Sequence, residues 1–351
     1  MDNIKVFQIG CGKMSKYTMR YAIEKGMQIT GAFDINPDVV GKDIGDIMCG
    51  DSYGVKVLSI DNLEDSLIND KPDICIVTTM SLLSDCKDVL LLCAKHGVNA
   101  ITTCEEAFYP MVSNPELTKE IDELASKNNC TISGSGYQDV FWGNLIYTLA
   151  GSTHKINMIK GSSSYNVEDY GIALARAHGA GLDKNAFEEQ IASADKISDE
   201  ERDKLIHSGK YTPSYMWNVV PWLANRFGFT LISQRQKCIP VIADADIYSN
   251  TLDMTIKKGD CRGMRAIVTG ETEEGITIEA ECIGKVYTED EVDRNEWSII
   301  GEPTTTVVIS EPKTVELTCA AIINRIPDVI DSLPGFVPTS NFGELDYIKN
   351  L

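Results

Sequence analysis

The sequence predicts an α/β protein: a doubly wound parallel sheet, followed by an α+β domain with an open, mainly antiparallel sheet. Through the first third of the 351 residues, short apolar runs alternate with helical patterns, as a parallel sheet with crossover helices requires. The first apolar run closes on "GCGKMS", with glycines at positions 10 and 12, and the second ends in an acid, Asp34. From about residue 153 the pattern changes to longer alternating segments separated by Gly- or acid-rich turns.

Each element has its own signal. "IKVFQIG" reads as the first strand, and "KMSKYTMRYAIEKG" as a helix with Met14, Tyr17 or Thr18, and Tyr21 on one face and Gly26 as its stop. "MQITGAFD" is the second strand. A short strand "VKVLS" precedes the acidic helix "NLEDSLIND", which Pro72 stops. "DICIVTT" is apolar throughout, as a strand covered on both faces must be. The helix "LLSDCKDVLLLCAKHG" leads into the strand "VNAITTC", and "NPELTKEIDELASKNN" leads into "CTISGSG". Helices this short and regular fit one right-handed, doubly wound, Rossmann-type sheet.

Beyond it, "HKINMIKGSSSYN" alternates like a half-exposed strand, and a polar helical stretch covers roughly 184 to 207. Then come "CIPVIADADIYS", "CRGMRAIVTGET", "GITIEAECIGKVY" and "TTTVVIS". These predict a sheet with one face open to solvent or to a partner subunit. "EPKTVELTCAAIINRIPDVIDSLPGF" is helical again, with Val315, Leu317, Ala321, Ile322 and Ile326 apolar before Pro327. The expected division is 1–150 for dinucleotide binding, 151–310 for substrate binding and dimerisation, and 311–351 for a helix returning to the first domain.

The bulk composition narrows the function. With 32 Lys and Arg against 52 Asp and Glu, the net charge of −20 repels nucleic acid and anionic lipid surfaces. Neither is an expected partner. The 11 cysteines are odd in number, scattered and without a C-x-x-C pair, so they read as reduced and mostly buried. The 4 histidines include no helix-spaced pair and none beside a cysteine cluster, so no metal site is expected. "MDNIKVFQIG" enters a strand at once, leaving no room for a signal peptide, and no apolar run approaches ~20 residues. A cytoplasmic protein is expected.

The glycine turn carries the first chemical expectation. Gly10 allows a tight turn, Gly12 lets the backbone approach a pyrophosphate, and the helix that opens there offers free N–H groups to that anion. Ser15 stands where a third glycine is usual, a departure that touches only helix packing. Gly10, Gly12, Lys13, Met14, Asp34, Thr78 and Thr79 are the expected cofactor-binding residues. Asp34 would accept the ribose hydroxyls and repel a 2′-phosphate, and no arginine follows it, so NAD is favoured, with NADP as the other choice.

Ligands of such sheets bind outside the carboxyl ends of the strands, where "TTCEEAFYP" places Glu105 and Glu106. One of the pair is expected to be catalytic, and the other a bystander that caps the helix beginning near Pro110 or faces water. Tyr137, Phe141, Trp142, Tyr165 and Tyr170 are expected to wall a substrate pocket, with ordinary core packing as the other reading for each. Arg176, His178 and Arg265 are candidate anchors for a substrate carboxylate, and a satisfied helix-end histidine is the alternative for His178.

Together "GCGKMS", "DINPDVVGKDIG", "ITTCEEAFYP", "GSGYQDVFWGN" and "AAIINRIPDVIDSLPGF" resemble the 2,4-diaminopentanoate dehydrogenases and related native amine dehydrogenases over nearly the full length. In that family the N-terminal domain is similar to that of dihydrodipicolinate reductase, whose His-His catalytic segment has no counterpart here. The resemblance implies NAD(P)-dependent oxidative deamination of 2,4-diaminopentanoate at C4, giving 2-amino-4-oxopentanoate and ammonia, in ornithine degradation. It assigns the amine-contacting glutamate to Glu105, with Glu106 as fallback, and the aromatic wall to Tyr137, Trp142, Tyr165 and Tyr170. A small diamino acid is the expected substrate and a homodimer the expected assembly. The competing readings are a carbonyl-reducing dehydrogenase of the homoserine type and a non-catalytic cofactor-sensing protein.

Overall fold

The structure, a computed structural model, describes residues 4–349 and divides them into two compact units. The first comprises the chain up to Asn144 together with Lys313 onward; the second is Leu145–Pro312.

In the first unit, β1 (Lys5–Ile9), β2 (Gln28–Asp34), β3 (Val57–Ser59), β4 (Ile74–Val77), β5 (Asn99–Thr102) and β6 (Thr131–Gly134) form one parallel sheet. A two-residue strand, Gly335–Phe336, adds to β6, giving the order Gly335–Phe336, β6, β5, β4, β1, β2, β3. Successive side chains of a strand point to opposite faces, so each central strand feeds two cores. Phe7, Ile9, Cys75 and Val77 pack with Leu67, Leu90 and Ile121 from the helices Leu63–Asp70, Leu83–Lys95 and Pro115–Lys127. Val6, Ile74, Ile76 and Ile101 pack with Met19, Ile322, Ile326 and Val329 from the helices Ser15–Glu24 and Thr314–Ile330 on the other side. Each such apolar side chain contributes about 1.5–3 kcal/mol by leaving water.

Two expectations about these helices need correction. The buried face of Ser15–Glu24 is Ser15, Thr18, Met19 and Ala22, while Tyr17 and Tyr21 are half-buried beside Lys16 and Arg20. Small residues let the helix lie close to the sheet. The C-terminal helix, expected over the whole of "EPKTVELTCAAIINRIPDVIDSLPGF", runs through Pro327 but ends at Ile330, and Gly335–Phe336 is a strand instead.

In the second unit β7 (Lys155–Asn166), β8 (Leu231–Ile242), β9 (Ile247–Ser249), β10 (Met254–Ile256), β11 (Cys261–Thr272), β12 (Thr277–Lys285), β13 (Arg294–Glu302) and β14 (Thr305–Ser310) build the sheets. Six of them form one sheet in the order β14, β13, β7, β12, β11, β8, and β9 pairs with β10. All neighbours in the large sheet are antiparallel except β7 and β12. The helix Met216–Phe227, which the periodicity does not predict, covers one face. Gly270 makes room for it, since a Cβ there would meet Val220 Cγ1 at 2.6 Å. The helix Leu145–Ala150, assigned from sequence to the first domain, belongs to this unit, where Tyr147 packs edge-on against Phe227 at 5.2 Å. The opposite face carries cross-strand ion pairs such as Lys160–Glu279 beside apolar residues such as Ile267, Ile283 and Ile300.

Candidate active site

The chain connections of the first sheet reverse direction between β1 and β4, and at such a point the strand ends diverge to leave a crevice. Gly10 follows β1 and Thr78 follows β4, with Thr78 N–H donating to Ile9 O at 2.9 Å. Gly10 has φ +84°, and a Cβ on it would sit 2.7 Å from Thr78 O, so only glycine fits this turn. A buried polar hub fixes it from beneath. Thr18 Oγ1 donates to Gln8 Oε1 at 2.7 Å, Gln8 Nε2 donates to Gly10 O at 2.9 Å and to Thr78 Oγ1 at 2.8 Å, and Thr78 Oγ1 donates to Gly10 O at 2.9 Å. The polar Gln8 inside an apolar run was the sequence signal for this hub.

Above the hub the turn opens outward. Gly12 and Lys13 are exposed, Met14 is half-buried, and nothing lies within 4 Å of a Cβ built on Gly12. Ser15 is fully buried, with its hydroxyl donating to Gly12 O at 2.8 Å, so the usual third glycine is replaced by a satisfied hydroxyl. Asp34, at the end of β2, is held by two backbone donors: Cys11 N–H to Oδ2 at 2.6 Å and Asn36 N–H to Oδ1 at 2.7 Å. A carboxylate has about four acceptor positions, so two are left for ribose hydroxyls. Ile35 beside it is 81% exposed, an apolar surface next to the acid that the sequence reading passed over. A backbone turn, a helix start with an adjacent cation, and an oriented carboxylate fit a dinucleotide. Thr79 is exposed after Thr78, with its hydroxyl 3.6 Å from Cys86 Sγ.

The segment after β5 separates the two glutamates. Gly134 on β6 has no side chain to hold the turn Glu106–Phe108 away; a Cβ there would lie 2.4 Å from the Ala107 carbonyl. Glu106 is turned back into the protein. Its Oε2 accepts from Leu83 N–H at 2.7 Å, at the start of the helix Leu83–Lys95, and its Oε1 accepts from the Ser113 hydroxyl at 2.8 Å. It therefore caps the helix Leu83–Lys95, not one beginning near Pro110, and complements the positive end of its dipole. Glu105 is half-buried, and burial pushes its carboxyl above the ordinary range, partly offset by the Ser81 hydroxyl. Ser81, which sequence reasoning missed, also accepts Glu106 N–H at 3.1 Å on its carbonyl.

After β6, Tyr137 stacks on Phe141 with ring centroids 4.5 Å apart, and its edge meets Trp142 at 6.0 Å. Tyr137 is buried; Phe141 and Trp142 are half-buried in a π-helical turn, Val140–Asn144. That turn is tied down by Asp139, a second residue the sequence reading overlooked. Its carboxylate accepts from Ser135 Oγ at 2.9 Å, from Asn144 Nδ2 at 2.8 Å and from Arg325 Nε at 3.0 Å, and both Asp139 and Arg325 are fully buried.

Tyr165, Tyr170, Arg176 and His178 lie in the second unit. Tyr165 and Tyr170 meet edge to face at 5.6 Å. His178 is buried with both ring nitrogens engaged, Nε2 with the Tyr165 hydroxyl at 2.7 Å and Nδ1 with Leu174 O at 2.8 Å. Burial holds its pKa below the usual histidine range, so it is a neutral, satisfied side chain and no anchor for a carboxylate. Arg265 is likewise committed, to Glu281 across the strands β11 and β12. Arg176 is exposed in the last turn of the helix Ile172–Ala177.

Among the described residues no group of three or more His, Cys, Asp or Glu stands where it could hold a metal ion. No helix among them is long and apolar enough to cross a membrane. The cysteines are free thiols, all buried except Cys49.

Comparison with known proteins adds independent findings. Residues 141–345 match the family model described as 2,4-diaminopentanoate dehydrogenase C-terminal domain, and residues 1–106 match that of a CoA binding domain. The chain is 23% identical over 341 residues to the 2,4-diaminopentanoate dehydrogenase of Acetoanaerobium sticklandii, covering 95% of this chain and 92% of that one. It is similar to the amine dehydrogenase from Mycobacterium smegmatis, with a TM-score of 0.81 and 36% identity over 98% of this chain and 97% of that one. A myo-inositol 2-dehydrogenase from Lactobacillus plantarum, at a TM-score of 0.56 and 12% identity over 95% of this chain and 89% of that one, shares the fold.

Proposed function

This chain belongs to the 2,4-diaminopentanoate dehydrogenase family and is an NAD(P)-dependent amine dehydrogenase, and on that footing we propose that it oxidises the C4 amine of 2,4-diaminopentanoate to a ketone, releasing ammonia. We propose ornithine breakdown as its setting and NAD as the preferred cofactor. The oriented Asp34 carboxylate, with no arginine following it, supports that preference. A homodimer through the open face of the second unit's sheet is part of the same proposal, read out as molar mass in solution.

The observation that carries the reading is Glu105, a carboxylate after β5 whose proton affinity is raised by burial while its neighbour Glu106 is committed to a helix cap. An alkyl ammonium with a pKa near ~10.4 holds its proton at pH 7 by about 4–5 kcal/mol, and hydride cannot leave the carbon until the nitrogen can donate a lone pair. Glu105 attracts the ammonium and accepts that proton; its raised pKa brings it nearer the operating pH, where general bases act best. Once that proton has passed to solvent, the regenerated carboxylate takes a proton from the water that attacks the iminium carbon. The turn at Gly10 and Gly12, Lys13, and Asp34 would hold the dinucleotide, which supplies the hydride acceptor when bound.

The test follows reduced-cofactor formation with 2,4-diaminopentanoate, ornithine and simple alkyl amines, and then ketone reduction with and without ammonium. Amine-dependent formation and ammonium-dependent reduction are expected. Ketone reduction that ignores ammonium would replace this reading with the carbonyl-reducing one. Cofactor binding without turnover of any amine would replace it with the sensing one.

A further inference from the structure

The two edges of the second unit's large sheet are finished differently. At one edge, β8 has its outward backbone groups occupied. Cys238 N–H donates to Asp195 Oδ2 at 2.6 Å, Gln234 O accepts from Arg202 Nη2 at 3.4 Å, and Pro240, in step with them, has no N–H to offer. The β8 ladder with β11 also shifts register twice, and Arg235 and Lys237 put charge on the strand. Each of these devices keeps a further strand from adding to an edge.

β14, at the other edge, carries none of them. Among the described residues it pairs with β13 alone, in an unbroken register from Arg294 opposite Ser310 to Ile299 opposite Thr305. One residue beyond that ladder, Glu311 N–H donates to Asp293 O at 2.8 Å. Antiparallel bonding alternates, so Ile309, Val307 and Thr305 bond β13, while Ser310, Val308 and Thr306 turn their N–H and C=O groups outward. Those three outward residues are exposed, Val308 at 41%. The run "TTTVVIS", residues 304–310, holds no charge, proline or glycine, in a chain of net charge −20.

We propose that β14 is a self-recognition edge, which pairs antiparallel with the β14 of a second copy of this chain about a two-fold axis at Val308. Val308 then faces its own counterpart and Thr306 faces Ser310, joined by about six reciprocal backbone hydrogen bonds. Charge selects the occupant. Acidic copies repel one another, and an uncharged strand lets two of them meet without setting like charges opposite; in this register Glu311 faces Thr305 and not another acid. The β-branched residues of the run suit a pleated pair. This contact is distinct from a dimer through the open face, because it joins sheet edges and leaves both faces free.

Light scattering and residue-resolved hydrogen exchange on the full-length protein test it. The wild type is expected as a dimer or a larger even assembly; a monomer overturns the proposal and leaves the edge to a strand of some other protein. Val308→Lys and Val308→Glu each put like charges across the axis, so either variant alone is expected to halve the mass, and an equimolar mixture of the two to regain it. Wild-type mass in both variants, or a mixture that does not recover, overturns the proposal. The outward amides of Thr306 and Ser310 are expected to exchange at least about 10-fold more slowly in the wild type than in Val308→Lys, while those of Val307 and Ile309, bonded to β13, stay protected in both. Equal exchange of Thr306 and Ser310 in the two proteins overturns the proposal even where the mass falls, because a contact through the open face alone leaves those amides to water.

Discussion

Asp139 and Glu105 are both carboxylates of the first unit, one beside the C-terminal helix and one after β5, and the fold treats them oppositely. Asp139 receives a hydroxyl, an amide and a guanidinium, all at 2.8–3.0 Å, and Arg325 in turn bonds Asp328 and Gly343 O. Glu105 has burial raising its pKa, with the Ser81 hydroxyl and its own backbone N–H only partly opposing it. A carboxylate surrounded by donors is an anchor that ties three segments of the chain together. One whose burial outweighs its donors takes up a proton more readily, and its charge costs stability.

Four changes sharpen or break that contrast. Glu105→Gln should lower amine oxidation by about 10²–10⁴ while the protein still folds, measured as kcat/KM with 2,4-diaminopentanoate. Arg325→Met strands a buried charge and should destabilise by about 3–5 kcal/mol in urea titration, with Asp139→Leu added on top recovering part of the loss. Glu106→Ala removes the acceptor of Leu83 N–H and should cost about 1–3 kcal/mol, leaving kcat/KM within a few-fold. The smallest effect is on stability in Glu105→Gln. The folded-state pKa of Glu105 lies above the unfolded one, so its favourable contribution is complete below the ordinary carboxylate range and is lost as pH rises through the folded value. At pH 7 the neutral variant should therefore have an unfolding midpoint no lower than the wild type; a lower one would mean the charge is well satisfied.

The same contrast explains what could be read from residues alone. The first unit was legible because each strand is short, apolar and bounded by a turn residue, and because Gly10 and Asp34 mark the ends of β1 and β2. The buried face of Ser15–Glu24 was not legible: Ser15 and Thr18 look polar, yet their hydroxyls bond Gly12 O and Gln8. In the second unit "MWNVVPWLANRF" escaped because it is buried from Met216 through Ala224 and carries Pro221 inside, so neither a stripe nor a clean helix remains. The strand β13 escaped because Asn295 alternates with Trp297 and Ile299 on its buried face, Asn295 accepting the Trp297 indole N–H at 3.1 Å. For the doublet, position pointed to the crevice after β5. Only Leu83 and Ser113, distant in sequence, distinguish Glu106 from Glu105.

The pH dependence of kcat/KM for amine oxidation, wild type beside Glu105→Gln, tests the central claim most directly. An acid limb is expected whose midpoint lies above the ordinary glutamate range and which disappears in the variant, while Glu106→Gln keeps it. The same acid limb persisting in Glu105→Gln, or vanishing only in Glu106→Gln, would contradict it.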